Sequence, residues 1–237
     1  MKKKLSRDYF RLLIHFAAWQ PLLWLVWDFF HNKLTINPIQ ALEQRTGKYA
    51  LFFLAASLAC TPLNTLFGFR EALRVRRALG LYAFFYASLH FLIFTGLDYG
   101  FAWKLVYNEI FRRPYILIGL AALTILLLLA ATSFKWWMKR LGKNWKRLHW
   151  LVYPAAVLVL IHFALAIKGD LLRLQGSISL SLTYSLVVLF LLIVRIPKIR
   201  KAARNLRLRL VQILNKDWQA GRKRGSVIRK EGESLGR

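Results

Sequence analysis

Six long apolar segments constrain the fold of this chain more than any other feature. Each is close to the ~20 residues that a helix needs to cross ~30 Å of hydrocarbon. Hydrophobic residues make up 57% of the 237 residues. Because a bilayer offers no water to backbone amides, such segments must be helical. The predicted spans are residues 10–30, 48–67, 78–97, 114–134, 148–167 and 174–194.

The basic residues predict the orientation of these spans. The net charge is +27, although only 20% of the residues are charged. Among the short segments, those on the side of the N-terminus carry 15 Lys and Arg, against 8 on the opposite side. The positive-inside rule therefore predicts that both termini are cytoplasmic. Nucleic-acid binding is disfavoured as a reason for the charge, because the basic residues lie between spans and not on one domain face.

The expected fold is therefore an all-α integral membrane protein, a six-transmembrane-helix bundle. The loops are too short to fold alone, so residues 1–197 are predicted to form one transmembrane domain and residues 198–237 a basic tail. In the tail, apolar residues up to Leu214 recur at helical spacing between arginines, which is typical of an amphipathic helix on anionic lipid. From Gly221 onwards the composition predicts disorder.

Three histidines inside predicted spans are candidates for a functional site: His90, His149 and His162. An ionisable side chain in a membrane is costly and therefore indicates a functional site. Both His90 and His162 lie ~18–22 Å from the cytoplasmic end, since the third and fifth spans run in the same direction. Two imidazoles at one depth can bind one iron from opposite sides. We therefore predict that His90 and His162 ligate one haem.

His149 is thirteen residues before His162, ~20 Å away along the helix axis. One cofactor ring cannot reach both, so His149 is predicted to ligate or contact a second cofactor at the cytoplasmic edge. On an ideal helix the two histidines would lie ~220° apart, so we expect a kink or local rewinding near Pro154. His15 is expected to have a packing role, and His31 to lie at the outer boundary.

Other chemistry has little support in the sequence. There is no Gly-rich phosphate loop, no H-E-x-x-H and no C-x-x-C. The single Cys60 is expected to be a small buried hydrophobe. Acidic residues are expected to be absent from the spans apart from Asp28 at an outer edge, whereas a proton-coupled transporter usually needs them there. A non-redox scaffold or transporter is the least favoured alternative.

Short motifs surround the histidines between about residues 10 and 200. The most specific is 140–145 (RLGKNW), which continues into 147–149 (RLH) and 152–153 (VY). The others are 76–81 (RRALGL), 113–115 (RPY) and 132–133 (TS). These motifs, with His90 and His162 in their places, resemble the bacterial YedZ/MsrQ-type family of the ferric-reductase-like transmembrane superfamily.

This resemblance implies b-type haem within the bundle and a flavin, FMN. It also implies a bacterial inner-membrane subunit that transfers electrons and is not itself the catalytic reductase. The implied acceptor is a periplasmic molybdopterin-containing methionine-sulfoxide reductase subunit. The implied electron source is the quinone pool or a cytoplasmic flavin reductase. A stand-alone transmembrane ferric or quinol-linked reductase is the alternative.

One departure from the superfamily concerns the third span. Many members have a further histidine 13 or 14 residues before the outer one, where this chain has Arg77 and Arg76. A guanidinium stays protonated and is a poor iron ligand. With His149, these arginines are therefore expected to hold an anionic part of a cofactor, a haem propionate or an FMN phosphate. The alternative for Arg76 is that it only sets topology.

Overall fold

The computed structural model describes the backbone of residues 2–171, 178–209 and 212, and side chains within 9–166, 183–209 and 212. Every regular element in these ranges is helical. The α-helices in chain order are α1 (Lys2–Phe30), α2 (Pro38–Phe67), α3 (Arg70–Leu92), α4 (Trp103–Arg112), α5 (Pro114–Ala131), α6 (Lys135–Leu141), α7 (Lys143–Leu148), α8 (Val152–Leu171) and α9 (Ile178–Val194).

Five helical segments are long and apolar enough to cross a membrane, and they coincide with the first five predicted spans. The chain is therefore an all-α integral membrane protein. The sixth predicted span overlaps α9, of which the part with described side chains, Thr183–Val194, is an apolar helix too short to count as a span by itself. The count of six and the cytoplasmic termini stay predictions. The five segments are Tyr9–Phe30, Pro38–Phe67, Arg70–Asp98, Pro114–Ala131 and Lys143–Ala166.

The second and third spans begin earlier than the sequence suggested. Helix α2 starts at Pro38, because the Asn37 side chain accepts the Gln40 amide at 3.1 Å and proline suits the first helical position. Helix α3 starts at Arg70, so only residues 68–69 separate it from α2. Gly68, at φ +75°, allows this sharp reversal.

This early start overturns the expectation that the spans hold no acid besides Asp28. Glu43 lies on α2 within the spanning segment. Its Oε1 is buried and has no hydrogen-bond partner in the described residues. The sequence argument missed it because it placed the start of the span at residue 48. Asp28 itself is buried and forms an ion pair with Arg45.

Two helix hairpins, α2–α3 and α5–α8, form the main packing units. Ala83 of α3 and Ala155 of α8 are fully buried, and small side chains at such positions let membrane helices approach closely. Tyr86 is also buried and donates its hydroxyl to the Ala18 carbonyl at 2.6 Å, which ties α1 to α3. Cys60 is buried, as expected. On the outside, large apolar side chains such as Phe16 are exposed, as on a lipid-facing surface.

The beginning of the basic tail packs against the end of α2. Residues 197–209 are helical. Within them, Arg207 donates to the Asn64 carbonyl at 2.9 Å, the same carbonyl that accepts the Gly68 amide at the end of α2. The later positions of the expected amphipathic pattern, Ile213 and Leu214, and the stretch from Gly221 lie outside the described residues.

Candidate functional site

The structure brings His90 and His162 together. His90 lies on α3 and His162 on α8, and their ring centroids are 6.2 Å apart with the ring planes at 75°. The predicted matching of depth on two spans is therefore realised as direct proximity. We call the pair and its immediate neighbours the outer site, after the predicted orientation.

The hydrogen bonds of the two rings define which nitrogen is free. The Nδ1 atom of His90 lies 2.9 Å from the Glu43 carbonyl oxygen, and that of His162 lies 2.7 Å from the Tyr115 carbonyl oxygen. Because a carbonyl oxygen only accepts, each Nδ1 must carry the proton. Each neutral ring then has its lone pair on Nε2. This is the arrangement in which metal-bound histidines are commonly oriented.

A glycine on the neighbouring helix faces each ring. A Cβ atom on Gly119 would stand 2.7 Å from Nδ1 of His162, and one on Gly47 would stand 3.4 Å from Nδ1 of His90. Each glycine lies four positions after the residue whose carbonyl accepts the hydrogen bond, and therefore shares its helix face. The missing side chains let the imidazoles lie close enough to bond to these carbonyls.

The parts of the outer site repeat along the chain with a constant offset of 72 residues. This offset relates the two carbonyls, the two glycines and the two histidines of the α2–α3 and α5–α8 hairpins. The two carbonyls and the two glycines were not predicted from the sequence. The recurrence of Gly, Ala and His 72 residues apart is the sequence signal for them. The related pairs are Glu43 and Tyr115, Gly47 and Gly119, Ala83 and Ala155, and His90 and His162.

The same offset relates Arg77 to His149. The spacing of the family motif leaves two residues, Arg76 and Arg77, that take the place of a second histidine on the third span. The repeat indicates Arg77.

The spacing of the histidine pair fits a metal between the rings. Two imidazole nitrogens that are each about 2 Å from a shared metal put the ring centroids roughly 6 Å apart. The measured separation is 6.2 Å. In the described part of the chain, no group of three or more His, Cys, Asp or Glu side chains could hold a metal. A donor set of two imidazoles suits a metal whose other ligands belong to a cofactor, as in haem.

His149 lies just before α8, thirteen residues from His162, at the start of a short 3₁₀ turn, His149–Leu151. Its ring packs on that of Trp145 at 4.1 Å, and its Nδ1 lies 3.1 Å from the Trp145 carbonyl oxygen. A 3₁₀ turn adds ~20° per residue, so the angle from His149 to His162 increases from ~220° to ~280°. Since ~280° is ~80° in the opposite direction, the two residues lie closer to a common face. The expected rewinding is confirmed, and it lies just before Pro154.

The predicted arginines lie at the same end as His149. Arg76 and Arg77 are both near enough for their charge to act on the His149 ring. Arg76 is partly buried, and its Nη1 lies 3.5 Å from Thr61 Oγ1, whereas Arg77 is exposed. We call His149, Arg76, Arg77 and Arg195 the inner site.

Arg195 belongs to this group although the sequence argument did not select it. It directly follows α9, and its side chain is buried against α2, where Nη2 lies 2.8 Å from the Leu58 carbonyl oxygen. In the sequence it is only a basic residue after an apolar run, which usually marks the end of a span. Nothing in that pattern indicates that the side chain turns back into the bundle.

The remaining two histidines have local partners. Nδ1 of His15 lies 2.7 Å from the Tyr82 hydroxyl, and the two rings meet edge to face. His31 stacks on Trp27 at 3.8 Å at the end of α1. These contacts agree with the packing and boundary roles expected from the sequence.

The fold and the outer site define a multi-pass helical membrane protein in which two imidazoles from different helices lie close together. A family model described as ferric reductase like transmembrane component matches residues 46–160. Two curated relatives are named protein-methionine-sulfoxide reductase heme-binding subunit MsrQ. The one from Xanthomonas euvesicatoria is 44% identical over 68% of this chain and 77% of its own length. The one from Rhodospirillum rubrum is 44% identical over 75% of this chain and 87% of its own length.

The chain belongs to the MsrQ family. No solved structure matches it.

Proposed function

We propose that this chain is a haem b-containing electron-transfer subunit in which His90 and His162 hold one haem. The observation that carries the proposal is the histidine pair, 6.2 Å apart with each Nδ1 bonded to a backbone carbonyl. The printed name of the relatives, heme-binding subunit, agrees with it. When bound, the haem supplies reversible one-electron chemistry at its iron.

The protein's own groups prepare the outer site for this ligand. The carbonyls of Glu43 and Tyr115 fix the orientation of the rings and raise the basicity of each Nε2. Gly47 and Gly119 leave room for this orientation. The helices that carry the pair are apolar, and an apolar surrounding helps to set the reduction potential of a metal.

At the inner site, we propose that His149, Arg76 and Arg77 hold a second cofactor, FMN or another haem. The charge of both arginines acts on the His149 ring, and the segment 135–147 beside it carries six Lys and Arg. A positive region of this kind attracts a phosphate or carboxylate. Electrons from the quinone pool or a cytoplasmic flavin reductase would enter at this end. His90 of the outer site is fourteen residues after Arg76 on α3, so the two sites are ~21 Å apart along the helix.

The proposed acceptor is a periplasmic molybdopterin-containing methionine-sulfoxide reductase subunit. The relatives are named as subunits of a protein-methionine-sulfoxide reductase, which supports this partner. The proposed location is the bacterial inner membrane, with both termini in the cytoplasm and the basic tail against anionic lipid.

The test is an absorption spectrum of the purified full chain, oxidised and then reduced. We expect a reducible b-type haem band and electron transfer to the periplasmic reductase subunit when the two are combined. No haem band in protein from cells with ample haem would reject the proposed function.

A stand-alone ferric reductase is the second candidate, because the matching family model carries that description. The two candidates differ in the acceptor. If the reduced protein passed electrons to ferric citrate faster than to the sulfoxide reductase subunit, the second candidate would be favoured.

A further inference from the structure

Arg195 is a buried charge whose environment calls for an explanation. Its exposed fraction is only 7%, although a guanidinium stays charged at any accessible pH. A buried charge is costly unless it is paired and hydrogen-bonded. The groups around Arg195 therefore indicate what it does.

One end of the guanidinium is hydrogen-bonded to α2 at a carbonyl that lacks its usual helical donor. Pro62 has no N–H, so the Leu58 carbonyl lacks the donor that it would have in a regular helix. Nη2 of Arg195 donates to this carbonyl at 2.8 Å and also lies 3.4 Å from the Ser57 carbonyl oxygen. These bonds position the side chain and account for one of its nitrogens.

The rest of the guanidinium is not accounted for by α2. Its Nε is buried and has no hydrogen-bond partner among the described residues. One face of the group lies over the Tyr153 ring, with Cζ 5.6 Å from the ring centroid. Such a contact is favourable for a cation but supplies no acceptor for Nε.

The guanidinium of Arg76 approaches the same hydroxyl group, that of Thr61, as the guanidinium of Arg195. Nη2 of Arg195 lies 3.2 Å from Thr61 Oγ1, and Nη1 of Arg76 lies 3.5 Å from the same oxygen. Where the structure describes side chains, neither arginine forms an ion pair with a carboxylate. Two like charges held this close in a partly buried place repel each other unless an anion lies between them.

We propose that Arg195 and Arg76 together bind one anionic group, a carboxylate or phosphate, of the cofactor held at the inner site. This inference rests on the proposed function of His149, which lies at the same end of the bundle. The planar fork of arginine matches both kinds of anion with two parallel hydrogen bonds. The anion is either a haem propionate or the phosphate of FMN.

The experiment compares ligands that differ only in the anion. The full chain, produced under haem limitation and purified in detergent, is titrated with haem and haem dimethyl ester, and with FMN and riboflavin. For one of the two pairs, we expect the charged form to bind at least about tenfold more tightly to the inner site. Tighter binding of haem than of its dimethyl ester identifies a propionate as the anion. Tighter binding of FMN than of riboflavin identifies a phosphate.

The variants assign this preference to the two arginines. Arg195→Gln and Arg76→Gln should each reduce the preference to within about twofold, and Arg195→Lys should keep part of it. The exposed Arg200→Gln is the matched control and should keep all of it. The low-spin signal of haem added to the His90–His162 site shows that each variant is folded.

Equal binding of charged and uncharged forms by the wild-type protein would overturn the inference. So would Gln variants that keep the preference, or a phosphatidylglycerol molecule that co-purifies with the wild type and is lost in Arg195→Gln without any preference among the cofactor pairs. Failure of the proposed function looks different, because the wild-type protein would then show no low-spin haem at all.

Discussion

The two ends of the bundle are built from the same repeated hairpin but carry different side chains. At the outer site the 72-residue offset relates His90 to His162, and the two rings lie 6.2 Å apart at an interplanar angle of 75°. At the inner site it relates Arg77 to His149, and Arg195 joins them from α9, outside the repeat. Neutral imidazoles can share a metal, whereas guanidiniums repel metals and hold anions. We therefore propose that one backbone arrangement supports two kinds of site.

The largest effect is expected from variants that remove one histidine of the outer site and leave the inner site intact. His90→Ala or His162→Ala removes one of the two ligands, so each variant should lose nearly all of the low-spin haem signal of that site. The measurement is the haem-to-protein ratio with the reduced-minus-oxidised absorption spectrum.

His31→Ala is the matched control for this experiment. It removes an imidazole that stacks on Trp27 at the end of α1, far from the pair along the chain, and should leave the spectrum unchanged. Full haem content with an unchanged spectrum in both the His90→Ala and His162→Ala proteins would show that the pair does not bind haem.

The second prediction tests whether Arg77 is what makes the two ends differ. Arg77→His restores the repeat at the inner site, because it places an imidazole at the position equivalent to His149. We expect a higher haem-to-protein ratio or an added low-spin signal. Arg74→His, an exposed position on the same helix, should give neither. If Arg77→His also leaves haem content and spectrum unchanged, the absence of a histidine at position 77 does not explain the difference between the two sites.

The third prediction separates the two ends in function. His149→Ala should slow reduction of the outer haem several-fold while leaving that haem bound, because a carrier at the inner site shortens the ~21 Å between the ends. Stopped-flow absorption with a quinol or a flavin reductase as donor measures the rate. A normal rate in both His149→Ala and Arg76→Ala would exclude the inner site from the electron path.

The smallest expected effect compares the two glycines of the outer site. A Cβ at Gly119 would meet Nδ1 of His162 at 2.7 Å, so Gly119→Ala should displace the ring at a cost of about 1–3 kcal/mol and weaken haem binding about tenfold or more. At Gly47 the distance to His90 is an ordinary 3.4 Å, and Gly47→Ala should be nearly neutral. Haem titration of both variants measures the difference. Equal affinities would mean that ring placement is not set by these glycines.

The sequence predicts the outer site well because depth in a membrane follows from residue count. The first five spans, the meeting of His90 with His162, and the grouping of Arg76 and Arg77 near His149 all follow from length, direction and helical rise. The resemblance to the family located the same residues through their motifs, and the comparisons confirm the family.

What the sequence could not show depends on contacts between distant segments. Arg195 meets Leu58 across 137 positions, and only the three-dimensional packing of α9 on α2 reveals that it is buried. Glu43 lies before the predicted second span because hydropathy does not detect the capped start of α2 at Pro38. The carbonyls that orient the histidines are backbone groups, which no residue type marks.

The most direct test of the central claim is electron paramagnetic resonance of the oxidised full chain. Because the two imidazole planes lie at 75°, we expect the strongly anisotropic low-spin ferric signal that near-perpendicular axial histidines give. This signal should disappear in His90→Ala and in His162→Ala and persist in His149→Ala. A wild-type protein with only high-spin ferric haem, or a low-spin signal that both outer-site variants retain, would contradict the account.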